Sequence, residues 1–119
     1  MSSFVGIDLG TCFSAIAYID KTGRPQIIPN KDGENITPSV VALRKDGDKD
    51  DIEVGTLAYN TWGYDKKNAA ARFKRQMHED TLIEMGGNKY TPARLSAYVL
   101  EELVKDAKST IKEIEEIVI

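Results

Sequence analysis

The chain of 119 residues has a single cysteine, Cys12, so no disulfide can form within it. Histidine is equally scarce. With no second Cys or His to complete a metal shell, His78 beside Glu79 and Asp80 reads as a solvated helix end, not as a metal site or general base. No apolar run approaches membrane-spanning length, and the start Met1-Ser2-Ser3-Phe4 has neither a basic region nor a long apolar segment. Reducing, cytoplasmic surroundings and no membrane partner are expected. Positive charge is not in excess either: 16 Lys and Arg stand against 19 Asp and Glu, a net charge of -3. That balance excludes a broad basic field and hence a bulk nucleic-acid partner, leaving only a local cluster at Arg72, Lys74 and Arg75. Internal repeats and low-complexity linkers are absent, which argues for one folding unit. Also absent is the G-x-x-x-x-G-K-[ST] phosphate loop.

What is present begins with two apolar runs, FVGIDLG and SAIAYID, separated by a few residues. They predict a hairpin with its turn at Gly10 to Phe13. Turn chemistry from Asp20 to Arg24 and the isoleucines between Pro25 and Pro29 predict a third strand returning beside the second. After an exposed loop from Asn30 to Asn35, Pro38 to Leu43 reads as one strand, Lys45 to Asp51 as its solvated tip, and Ile52 to Gly55 as the return. Thr56 to Gly63 has the makings of a short helix that Gly63 and the run Asp65 to Lys67 interrupt. A further helix is expected from Asn68, which can cap it, because Ala69, Phe73 and Met77 recur at every fourth residue. Ile83 to Tyr90 reads as a tight hairpin turning at Gly86-Gly87-Asn88. Thr91-Pro92 opens the clearest helix, striped by Leu95, Val99, Leu103, Ala107 and Ile111. Glu116 to Ile119 has strand composition, and its apolar end suggests a truncated piece. Trp62 and Tyr64, flanking Gly63, read as local packing.

Asp8 is the most informative side chain. Strand alternation puts Phe4, Gly6, Asp8 and Gly10 on one face and Val5, Ile7 and Leu9 on the other. Burying the carboxylate unpaired would be costly, whereas flanking glycines leave room for a hydrated cation and a phosphate. The amides of Gly10, Thr11 and Cys12 could then form an anion-binding nest. The plainer alternative stays open: Asp8 hydrogen-bonds the turn and Gly10 supplies its backbone angle.

The phrase Gly6-Ile7-Asp8-Leu9-Gly10-Thr11 resembles the first phosphate hairpin of the actin-like ATPase superfamily. Ile28-Pro29-Asn30, Thr37-Pro38-Ser39-Val40-Val41, Val54-Gly55, Phe73-Lys74-Arg75 and Glu116-Ile117-Val118-Ile119 then follow in the order seen in DnaK-type heat-shock chaperones, so the resemblance covers essentially the whole chain. The short segment between Met77 and Thr91 is similar to the HscC-like branch. The resemblance implies an α/β fold with a ribonuclease-H-like mixed sheet, flanking helices and a small inserted β-hairpin lobe, with 1–38 and 92–119 in the core lobe and 39–91 in the small one. It also implies an N-terminal fragment of the nucleotide-binding domain of an ATP-driven chaperone, inactive by itself. Asp8 would help organise hydrated magnesium, and Thr11 with neighbouring amides, including those of Cys12 and Phe13, would contact the phosphates of ATP or ADP. Lys74 would place the attacking water beside the terminal phosphate, Arg75 would couple nucleotide to domain arrangement, and K+ would be a further cation. Implied partners are unfolded client peptides bound by an absent C-terminal domain, a J-domain co-chaperone and a nucleotide exchange factor. Sugar-kinase-like and actin-like filament members of the superfamily are the alternatives, against which Phe73-Lys74-Arg75 and Thr37-Pro38-Ser39 argue. Two positions depart from the family: Cys12 stands where most members have threonine, and Phe13 where asparagine or tyrosine is usual. A thiol is a poor substitute for a hydroxyl at phosphate, so binding there would rest on backbone amides. We read Cys12 as a passive small side chain in preference to a redox sensor.

Overall fold

A computed structural model describes residues 2–46 and 49–119. β1 (Ser2–Leu9) and β2 (Phe13–Ile19) form the expected hairpin, with Leu9 opposite Ser14, and β3 (Pro25–Ile27) returns antiparallel along the far end of β2. Between them the turn is pinned by Asp20, whose carboxyl accepts from the Thr22 hydroxyl, the Arg24 amide and the Gln26 side chain and is thereby held down to about 2. Along β1, exposed Phe4, Gly6 and Asp8 alternate with buried Val5 and Ile7, so one face of the strand meets the core and the other does not.

The stretch 38–43, expected as a single strand, is divided between two sheets. β4 (Thr37–Pro38) pairs with the start of β2, whereas β5 (Val40–Asp46) joins β6 (Lys49–Val54) in a second sheet, and Ser39 is the joint. The reason is burial on both sides of β5: Val41 and Leu43 enter the main core, while Val40 and Ala42 face a separate cluster with Ala58 and Ala69. At the other end the strands run beyond expectation, with Arg44 opposite Asp51 and Lys45 opposite Asp50; residues 47 and 48 of the anticipated tip lie outside the described residues.

α1 (Thr56–Tyr64) passes through Gly63 before ending at Asp65. The helix expected from Asn68 does not exist. Instead a short 3-10 turn (Lys66–Asn68) leads into β7 (Ala69–Ala71), which pairs antiparallel with β5, and a second 3-10 turn (Phe73–Gln76) follows. Asn68 does not cap a helix; its amide donates to Asp65 Oδ2 at 2.7 Å. Local alanine propensity loses because β5 has an edge to pair, and only small side chains such as Ala69 fit between that edge strand and α1. Arg72 at φ 59° then breaks any helical continuation. His78, Glu79 and Asp80 are exposed beyond the second 3-10 turn, so they end no α-helix.

β8 (Ile83–Met85) and β9 (Asn88–Tyr90) make the tight hairpin, closed by Gly86 and Gly87 at φ 62° and 84°, with Asn88 already in the ladder. α2 (Pro92–Thr110) begins as expected: Thr91 Oγ1 accepts from the Arg94 amide at 3.1 Å, and Pro92 fills the first turn. Its buried stripe, Leu95, Val99, Leu103 and Ala107, packs with Val5, Ile7, Ile16 and Ile28 in one cluster that also takes in Val41, Val54, Phe73 and Met85. Burial of each larger aliphatic contributes about 1.5–3 kcal/mol. β10 (Glu113–Val118) then lies parallel to β1, giving a mixed sheet of order β10-β1-β2-β3 with β4 also on β2. No helix among the described residues is long and apolar enough to cross a membrane.

Lys31 ties α2 to the second sheet, its ammonium lying 2.7 Å from Glu53 and 3.4 Å from Glu102. Beneath it Asp106 is buried, and its Oδ2 has no hydrogen-bond partner. Burial first, and the neighbouring Glu102 charge second, hold the Asp106 carboxyl above the usual carboxylate range, against the pull of Lys31 and Lys105. A raised folded-state value means that ionisation is penalised in the native chain. Stability from this group is therefore gained as pH falls through that value and levels off once the unfolded carboxyl, near about 3.9, also takes its proton. Asp106→Asn is expected to raise the melting temperature near neutral pH by about 2–5 °C and to flatten the acid-side gain of the parent chain. Thermal melts across the acid range would show this; parallel curves for both proteins would refute it.

Candidate functional site

Of the residues singled out by the sequence, Asp8, Gly10, Thr11, Cys12, Phe13 and Lys74 meet at the β1–β2 turn, whereas Arg75 is exposed on the second 3-10 turn with no contact to it among the described residues. Asp8 is exposed on the β1 face turned away from α2, opposite Ala15, and enters no ion pair among the described residues. Ala15 and Gly6 keep the surface beside it open; a Cβ built on Gly6 meets nothing within 4 Å. Gly10 is different. A Cβ there would lie 2.1 Å from the Phe13 carbonyl oxygen, so the bend closes only around glycine.

The Gly10 amide, anticipated as part of an anion nest, is committed inward: it donates to Ser14 Oγ at 3.3 Å. The amides of Thr11 and Cys12 have no protein acceptor among the described residues. Thr11 is half-buried, and Cys12 and Phe13 are exposed. Behind the turn Ser39 Oγ donates to the Gly10 carbonyl at 2.9 Å, Ser39 N–H donates to the Cys12 carbonyl at 2.9 Å, and Ser14 and Ser39 hydroxyls lie 2.8 Å apart. Both serines are 2% exposed. Neither was singled out from sequence for chemistry. Ser14 shares the inward parity of Ile16 along β2, and a polar residue in such a slot is a signal that could have found it.

Lys74 reaches the same turn from the second 3-10 turn. Its Nζ donates to the Leu9 carbonyl, 65 residues back along the chain, at 2.5 Å, next to Asp8. Buried Phe73 anchors this short segment in the core while Lys74 and Arg75 remain exposed. The left-handed Arg72 sends its guanidinium over the Trp62 ring at 5.4 Å, with the Lys66 ammonium at 5.2 Å from the same ring. Trp62 thus packs locally, as expected, but Tyr64 does not: it is 80% exposed. Thr11, Cys12, Phe13, Trp62 and Arg72 line a cavity of about 230 Å³ between the turn and α1.

The arrangement therefore holds one free carboxylate, one lysine ammonium and two unsatisfied amides around a glycine bend. A single carboxylate suits a cation held mainly through its own water, and among the described residues no group of three or more His, Cys, Asp or Glu side chains is gathered for direct ligation. Amides and ammonium together suit the oxygens of a phosphate.

A family model described as Hsp70 protein matches residues 4–82. The chain is 40% identical over 105 residues to the chaperone protein DnaK of Thermotoga neapolitana, covering 88% of this chain and 17% of that protein. It is 38% identical over 105 residues, with the same coverage, to the chaperone proteins DnaK of Thermotoga petrophila and Thermotoga maritima. The chain thus spans about a sixth of the length of these relatives, 17% in each case.

Proposed function

The chain belongs to the Hsp70 family, and on that premise we propose that it is the opening part of the nucleotide-binding domain of an ATP-dependent chaperone. Its mixed sheet would be the start of a ribonuclease-H-like fold, with 1–38 and 92–119 in the core lobe and 39–91 in the small one. The observation that carries this reading is the meeting of Lys74 with the β1–β2 turn beside Asp8 across 65 residues of chain. Phosphoryl transfer needs positive charge and an aligned water beside the phosphates, and an ammonium held at this turn is placed to supply both.

In this reading the Thr11 and Cys12 amides hold phosphate oxygens, Phe13 flanks them, and Gly10 lets the backbone approach closely. Asp8 orients the water shell of magnesium, which when bound neutralises phosphate charge; K+ would be a second cation there. Lys74 holds the attacking water and the terminal phosphate in line, and Arg75 links the site to domain arrangement. Replacing a hydroxyl by the Cys12 thiol shifts the burden of binding to the backbone. Client peptides, a J-domain co-chaperone and an exchange factor would engage the longer cytoplasmic protein.

Because this chain would supply one wall of a cleft, its own affinity for MgATP is expected to be weaker than about micromolar and its hydrolysis negligible, while the full-length protein hydrolyses ATP. Calorimetry and a phosphate-release assay on both would decide it. Sub-micromolar binding by the 119-residue chain would show that the remainder of the site has been overestimated.

A further inference from the structure

We propose that Ser39 is the positioning residue that aims the phosphate-binding Thr11 amide, gripping the β1–β2 turn from behind; the proposal rests on the nucleotide reading of that turn. The Gly10 carbonyl can only accept, so the Ser39 hydroxyl hydrogen is committed to it. Ser14 must then donate to Ser39, and the Gly10 amide in turn donates to Ser14. The three bonds close a ring whose proton directions are all determined. Ser39 also donates its own amide to the Cys12 carbonyl.

The consequence follows from peptide planarity. In a trans peptide the C=O and the N–H of the next residue point in opposite directions, and no cis bond occurs among the described residues. Turning the Gly10 carbonyl inward to Ser39 therefore turns the Thr11 amide outward. Turning the Cys12 carbonyl inward does the same for the Phe13 amide. One buried residue at the joint between the two sheets thus sets two peptide planes of the turn, its hydroxyl holding the plane that carries the Thr11 amide and its own amide holding the next.

The test uses the full-length protein that carries these residues, titrated with MgADP, which binds without being hydrolysed. Ser39→Ala removes the hydroxyl but keeps the backbone hold on the Cys12 carbonyl, and it is expected to weaken binding about tenfold, because a Thr11 amide that is free to rotate loses its alignment on a charged acceptor. Ser39→Thr keeps the hydroxyl, and the neighbouring cavity can take its methyl, so affinity is expected within about threefold of the parent. Ser14→Ala separates aiming from folding. It should lower the melting temperature as much as Ser39→Ala but leave the Gly10 carbonyl gripped, with binding weakened less than about threefold. Equal weakening by the two alanine variants, or unchanged affinity in Ser39→Ala, overturns the proposal. Failure of the parent protein to bind MgADP at all sinks instead the nucleotide reading beneath it.

Discussion

Lys74→Met in the full-length protein is expected to slow ATP hydrolysis by about two to three orders of magnitude. Methionine keeps the length and apolar stem of the side chain, and Lys74 lies exposed on a 3-10 turn whose anchor is Phe73, so folding should be nearly untouched. What disappears is the ammonium that the fold brings to the Leu9 carbonyl beside Asp8. A charge placed where phosphate charge develops acts mainly on the transition state, so the loss belongs in the chemical step and far less in ground-state affinity. Lys74→Arg should not restore the rate. A planar guanidinium cannot reproduce a compact three-donor point charge within hydrogen-bond reach of a backbone carbonyl. Single-turnover hydrolysis with prebound ATP measures the step directly; a rate within about threefold of the parent would remove Lys74 from the mechanism.

Gly10→Ala should lower stability by about 3 kcal/mol or more. The new Cβ would stand 2.1 Å from the Phe13 carbonyl oxygen, and that neighbour is backbone, unable to swing aside as a side chain would. Relief requires opening the bend, which strains the Ser14 and Ser39 contacts to Gly10 together. Gly6→Ala is the matched control: four residues back along the chain in the same hairpin, its Cβ meets nothing within 4 Å, and a stability change within about 0.5 kcal/mol is expected. Denaturant titration of the two variants side by side tests the contrast, and equal midpoints would mean that the turn closes without needing glycine.

The parts of the fold legible from sequence are those in which local pattern and tertiary demand agree. Phe4 to Asp8 alternate because one side of β1 meets α2, and Thr91-Pro92 starts a helix whose own side chain satisfies an early amide. Ala69 to Ala71 mislead because three alanines carry a helical preference, while the strand edge that claims them belongs to Val40 to Ala42, far away in sequence. The division of 38–43 at Ser39 was hidden for a related reason: an apolar run does not disclose which of its faces meets which sheet. Asp8, Thr11 and Lys74 were readable through motif resemblance. Ser39 was not, because its importance lies in two backbone carbonyls, one of them 29 residues earlier, and carbonyl direction leaves no trace in side-chain identity.

The parallel pairing of β1 with β10 has a consequence for how the molecule comes into being. Synthesis delivers Ser2–Leu9 more than a hundred residues before Glu113–Val118, so one flank of β1 waits unpaired until the later strand arrives. Closing so wide a gap is entropically slow, and an idle strand flank invites pairing with stray neighbours. Until that strand arrives, a growing member of a chaperone family thus carries the same kind of exposed, sticky flank that holdases exist to shield.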